Sequence, residues 1–216
     1  MSTSRFLFLL LLTGLSASLY GQSETPFRPS LRLGYDVSAL ARRFLEPEVR
    51  STEVWADFEW QRNWFAAIEG GLLDVGMEKP SHTYEAGGWF LRIGADYNFF
   101  DRKDAIHQDL IIASARYGIG STNQQAPHIV VSDTYWGDFV TSMPAERHLA
   151  HWLEIGGGVK TRLGRDFFMG WAIRTRFLLS QSSEGQINPL VIPGYGRPRG
   201  NTSVMLHYTL YYRLPL

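Results

Sequence analysis

Eight stretches of this chain alternate apolar and polar residues with a period of two, the pattern of β-strands whose two faces meet different surroundings. They lie at 31–38, 53–60, 64–72, 88–99, 110–120, 152–163, 167–179 and 204–216. In the fourth, Trp89, Leu91, Ile93, Ala95, Tyr97 and Phe99 alternate with Gly88, Phe90, Arg92, Gly94, Asp96 and Asn98. In the last, Val204, Leu206, Tyr208, Leu210, Tyr212 and Leu214 oppose Met205, His207, Thr209, Tyr211 and Arg213. An even number of such strands can close into an antiparallel ring that leaves no free edge.

The connections alternate as well. Gln61–Asn63, Phe100–His107 and Gly164–Arg165 are short, whereas Ala39–Arg50, Asp74–Thr83, Ser121–Arg147 and Gln181–Gly200 are long. Short turns at one end and long loops at the other are the habit of outer-membrane barrels, whose short turns are periplasmic. Both termini then fall on the short-turn side. A connection as long as Ser121–Arg147 would be out of place inside a compact soluble domain.

The one continuous apolar run, Phe6 to Leu12, follows Arg5 and precedes small residues and Gly21. That order is the pattern of a cleavable export signal, and the run is too short for the roughly 20 residues of a spanning helix. The expected organisation is a signal at 1–21, a short lead at 22–30 and an all-β, eight-stranded up-and-down barrel at 31–216. Formal net charge is zero, which gives no basis for nucleic-acid binding, and the absence of cysteine excludes disulfides and thiolate metal centres.

Alternation alone does not say which face is inside. In a soluble ligand-binding barrel the apolar side chains would point inward. Here the polar faces carry glycine repeatedly (Gly34, Gly71, Gly88, Gly94, Gly118, Gly120, Gly156, Gly158 and Gly170). Glycine weakens a solvated strand but leaves room in a narrow lumen. The same faces carry both signs: Asp36, Glu53, Asp57, Glu59, Glu69, Asp96 and Glu154 against Arg32, Arg92, Arg116, Lys160, Arg174 and Arg176. Eighteen arginines against three lysines suit planar, paired, buried charges. The apolar faces are nearly free of charge, and Trp60, Trp64, Tyr97, Phe99, Phe167 and Tyr212 gather beside the short turns as an interfacial girdle. The charges therefore belong in the lumen and the aliphatics face lipid.

Candidate chemistry is sparse. His148 and His151 form an HxxH, but an odd spacing on a strand sends the two rings to opposite faces, so they cannot share a metal ion. His148, Trp152 and Glu154 share the inner face, and a lipid hydrolase would need a serine beside them. No serine is tied to them by spacing, though Ser121 and Ser180 lie at the outer ends of strands five and seven. Arg174 and Arg176 point into the lumen together, either as an anion-selective constriction or as structural partners of the acids on strands two, three and six. Pro193–Pro198 and Ser121–Arg147, with Tyr135, Trp136 and Phe139, are candidate contact loops.

The blocks LRLGYDVS (31–38), FLRIGADYNFF (90–100), HWLEIGGGVK (151–160) and LVIPGYGRP (190–198) resemble those of a small outer-membrane barrel family of the Bacteroidota that is labelled only a domain of unknown function. The likeness spans about 31–216. It implies the same barrel and an outer-membrane location with both termini periplasmic, and it brings no catalytic residues. The expected role is structural or adhesive, with a charge-filled, non-conducting lumen and no cofactor or bound metal. Expected partners are outer-membrane lipid and lipopolysaccharide, an extracellular protein or glycan at the loops, and the barrel-assembly machinery. The alternatives are an outer-membrane enzyme acting on envelope lipids and a soluble ligand-binding barrel.

Overall fold

The computed structural model describes residues 29–100, 109–132, 134–183, 188–198 and 200–214. The expected signal at 1–21, most of the lead and all of the Phe100–His107 turn beyond Phe100 lie outside the described residues. Eight strands form one closed antiparallel ring in sequence order. They are β1 (Ser30–Asp36), β2 (Val49–Gln61), β3 (Trp64–Lys79), β4 (His82–Asn98), β5 (Leu110–Val131), β6 (Phe139–Arg162), β7 (Phe167–Ser183) and β8 (Thr202–Leu214). Closure comes from β1 on β8, with Leu31 opposite Leu214 and Asp36 opposite Thr209. One helix, α1 (Ser38–Leu45), occupies the connection that the sequence presents as a plain loop at Ala39–Arg50. Its first turn is tied down where the Ser38 N–H donates to Asp36 Oδ1 at 2.7 Å.

The long connections differ most from expectation. Asp74–Thr83 and most of Ser121–Arg147 are strand: β3 and β4 run on to a tight turn at Pro80–Ser81, and β5 and β6 pair as far as Val131 opposite Phe139. β2 leaves β3 at Val75 and β7 leaves β6 at His148, so the extensions of β3 to β6 stand above the ring as a one-sided, four-stranded wall.

Within this wall the alternation persists but its polarity inverts. Along β3, Trp64, Ala66, Ile68 and Leu72 are exposed on the outer face while Phe65, Ala67 and Glu69 are buried. Above Leu72 the outer positions become Asp74, Gly76 and Glu78, and the inner ones Leu73, Val75 and Met77. Those three pack with Ala86 and Val191, backed by Val49 and Tyr84. β4 changes at the same level, from Trp89, Leu91 and Ile93 outside to Thr83, Glu85 and Gly87. On β3 and β4 the lower part therefore carries its apolar band outside, and the upper part carries it inside.

Glycine sets how closely the inner surface can fill. Trp152, fully buried, lays its indole across β5, and a Cβ at Gly118 would overlap that ring. At Gly34 a Cβ would sit 2.6 Å from Tyr211 Cδ1. Gly194 (φ 73°) and Gly196 (φ 97°) adopt the left-handed backbone that lets residues 192–196 turn back into the mouth, where Ile192 N–H donates to Gly196 O at 2.9 Å.

Candidate functional site

The lumen is the one place where the described chain concentrates ionisable side chains, and they form a continuous ladder along the barrel axis. At the short-turn end Glu59 accepts from the Ser30 hydroxyl at 3.3 Å and the Asn63 N–H at 3.2 Å, bracing the β2–β3 turn. Next, Asp57 holds Arg32 (Nε 2.6 Å) and Lys160 (Nζ 2.9 Å), and Lys160 also reaches Asp96 at 3.3 Å. Asp96 takes Arg116 Nη2 at 2.6 Å, and Arg116 Nε lies 3.1 Å from Glu69.

Glu69 is the centre. Arg174 approaches it in a fork, Nη1 at 2.8 Å and Nη2 at 2.9 Å, and Arg92 Nε stands 3.2 Å away. Arg92 also pairs with Glu53 and lies 3.4 Å from Glu154. Glu154 accepts from Trp152 Nε1 at 2.7 Å and faces Arg176 Nε at 3.0 Å. Arg176 then donates to the Tyr195 carbonyl (3.0 Å) and meets His207 Nε2 (2.8 Å), while His207 Nδ1 lies 3.2 Å from Asp36. A guanidinium only donates, so His207 Nε2 is the acceptor and its proton sits on Nδ1, toward Asp36. Aromatic faces line the same column, with Arg174 Cζ 4.6 Å from the Trp55 ring centre and Arg92 Cζ 4.7 Å from that of Phe90.

All thirteen charged residues singled out in the sequence therefore lie inside the ring, each buried. Arg174 pairs with Glu69 and Arg176 with Glu154. The aromatic set lies at the short-turn end: Trp60 against Trp64 (6.1 Å), Trp64 against Tyr97 (4.9 Å), Tyr97 against Phe99 (4.9 Å) and Phe167 against Tyr212 (5.1 Å). His151 faces outward, where Tyr117 Oη lies 2.9 Å from its Nδ1. His148 is buried, but Gln124 Nε2 lies 2.9 Å from its Nε2, and Ser121 Oγ accepts instead from Arg147 at 3.2 Å. Ser180 stands opposite the outward-facing His151, and the residue paired across from His148 on β7 is Ser183.

Two partners of the ladder carry little sequence signal. His207 sits on the inner face of β8 as one alternating residue among several, and only ring closure brings it to Asp36. Tyr195 reads as a loop aromatic. In the structure it and Ile192 are fully buried at the mouth, packed with Phe90, Ala150 and Trp152. Residues 190–196 thus form a plug in the mouth, latched from the wall: the Leu190 N–H donates to Tyr84 Oη at 3.4 Å, and Tyr84 donates to Gln124 Oε1 at 2.9 Å. Burial raises the pKa of both phenols, Tyr84 and Tyr195, which keeps Tyr84 a donor.

A family model described as "Domain of unknown function (DUF6048)" matches residues 16–216. The chain belongs to that family. Family membership assigns no reaction, so the lumen and mouth are read on their own geometry. No curated protein matches the chain. Among solved structures, it is similar to Ail, the attachment invasion locus protein of Yersinia pestis, at 10% identity and a TM-score of 0.44, covering 86% of this chain and 97% of that one. The N-terminal β-barrel domain of Pseudomonas aeruginosa OprF gives 10% and 0.38 over 86% and 97%. Neisserial surface protein A gives 9% and 0.39 over 85% and 94%.

Proposed function

We propose that the chain is an integral barrel of the bacterial outer membrane, closed along its axis, which presents an outward surface instead of passing solutes. The observation that carries this reading is the pairing of an ion-filled lumen with an apolar outer band. No helix among the described residues is long and apolar enough to cross a membrane. From Trp89 to Phe99 the outer face of β4 is apolar over ten residue steps, about 33 Å along a strand and about 25 Å of height at a tilt of ~40°. That matches the apolar band of an outer-membrane barrel. The level at which β3 and β4 invert their polarity then marks the outer bilayer surface, because above it water replaces lipid outside.

In this orientation both termini and the aromatic girdle are periplasmic, and the wall, α1 and the plug are extracellular. Lipopolysaccharide would surround the upper band, and insertion would use the barrel-assembly machinery. The wall carries the exposed contact surface: Tyr135 and Trp136, each 84% exposed, and Phe139 and Val140 behind them. An extracellular protein or glycan would meet the barrel there.

The band predicts a depth-dependent penalty. Ile93→Arg, near mid-band, is expected to cost about 2–4 kcal/mol of folding in lipid, and Leu72→Arg at the boundary about 0–1 kcal/mol. The readout is the fraction of heat-modifiable, fast-migrating protein after refolding into vesicles, and equal losses for the two would refute the placement. Purified protein in a planar bilayer is expected to give no ohmic steps. Steps of constant conductance would overturn the closed lumen.

A further inference from the structure

Above the ladder, between the plug, α1 and the first turns of the wall, lies a cavity of about 230 Å³. Glu53, Arg176 and His207 lie at its base, and all three are already engaged. Glu53 takes Arg92 and the Trp55 Nε1–H, while Arg176 and His207 bind each other and the groups described above. One side is apolar, made by Leu73, Val191, Ile192 and Met205. The rim carries Arg42, Arg197 and Glu46, of which Arg197 and Glu46 pair at 3.3 Å.

Arg42 is held more loosely than the arginines of the ladder, and its side chain is 36% exposed. Its Nη1 reaches only the Met205 sulfur at 3.7 Å, and its Nη2 stays 3.8 Å from Asp36. Its Nε is shielded from solvent and has no partner. A guanidinium with donors to spare, facing an apolar wall across a rim of net charge +1, suits a ligand with a planar anionic head and a hydrocarbon body. The volume lies below the ~300–1,000 Å³ of drug-sized pockets, so the occupant is small.

We propose that this cavity binds a small amphiphilic carboxylate, its head on Arg42 and its hydrocarbon against Leu73, Val191, Ile192 and Met205. The site requires neither a particular membrane orientation nor a closed lumen, so its test stands apart from the conductance measurement. α1 places the arginine: its start is anchored by Asp36, and its end by the Glu46 N–H donating to Arg42 O at 2.7 Å.

The test uses the full mature chain in amphipol, titrated calorimetrically with octanoate, octanamide and octylammonium. Octanoate is expected to bind saturably and more tightly than the other two. Arg42→Gln is expected to weaken it about tenfold, the loss of one charge-assisted hydrogen-bonded pair. Met205→Trp, at a half-buried position in the cavity wall, is expected to abolish binding by filling the space. A retained heat-modifiable gel shift shows that both variants are folded. Absence of saturable octanoate binding, equal binding by Arg42→Gln, or preference for octylammonium would each overturn the proposal.

Discussion

Glu69→Leu is expected to be the most damaging single substitution in the lumen. Its carboxylate is shared by Arg174, Arg92 and Arg116 at 2.8 to 3.2 Å, and all four groups are buried. Removing it leaves three guanidiniums facing one another with no acceptor at the centre. Breaking a single buried pair from one side costs about 3–5 kcal/mol, because the stranded charge has given up water for nothing. The loss here should lie at or above that range, read as a lower temperature at which the fast-migrating form disappears from gels, or failure to reach that form. Arg174→Leu is expected to cost less, since Glu69 keeps two cationic partners. Glu69→Leu with Arg174→Leu should fall short of the sum, as coupled neighbours do. Unchanged thermal behaviour in Glu69→Leu would mean that the ladder contributes nothing to folding.

The second large effect is steric. Gly118→Val places carbon where the Trp152 indole lies, and Trp152 has no retreat: Gly120 and Pro193 lie along it, and its Nε1–H is committed to Glu154. Overpacking costs about 1–3 kcal/mol, and expelling the indole would also strip Glu154 of a donor. We expect a destabilisation of about 3 kcal/mol or more in urea titrations of the refolded barrel. Gly76→Ala, whose added Cβ meets nothing within 4 Å, should leave the midpoint unchanged. If the two behave alike, glycine in the lumen is not there to admit the tryptophan.

How far the sequence could be read depended on whether a residue's surroundings repeat along its own strand. Glu69 and Arg92 stand at fixed parity against Ile68 and Ile93, so their inward direction was legible without coordinates. Leu73, Val75 and Met77 continue the same parity, but their polarity is opposite to that of the residues below. Scanned for one apolar phase, β3 seems to end at Leu72. β5 is harder still, because Thr122, Asn123, Gln124 and Gln125 are polar on both faces and carry no alternation at all. Extended strand in the wall therefore reads as loop in the sequence. The helix at Ser38–Leu45 is two turns long, too short for its period to stand out.

What the sequence determined by itself is the part governed by local geometry. Side chains on a strand alternate regardless of what lies nearby, so composition at each parity fixed the strand number, the inward set of charges and the aromatic end. What only the tertiary structure decided is which charges meet. Asp36 and His207 are 171 positions apart, and Glu69 and Arg174 are 105 apart. Their contacts follow from ring closure and strand stagger, which no local pattern encodes. The same holds for Tyr195, whose burial depends on Phe90 and Trp152 from across the ring, and for Arg42, whose contacts with Asp36 and Met205 join α1 to β1 and β8.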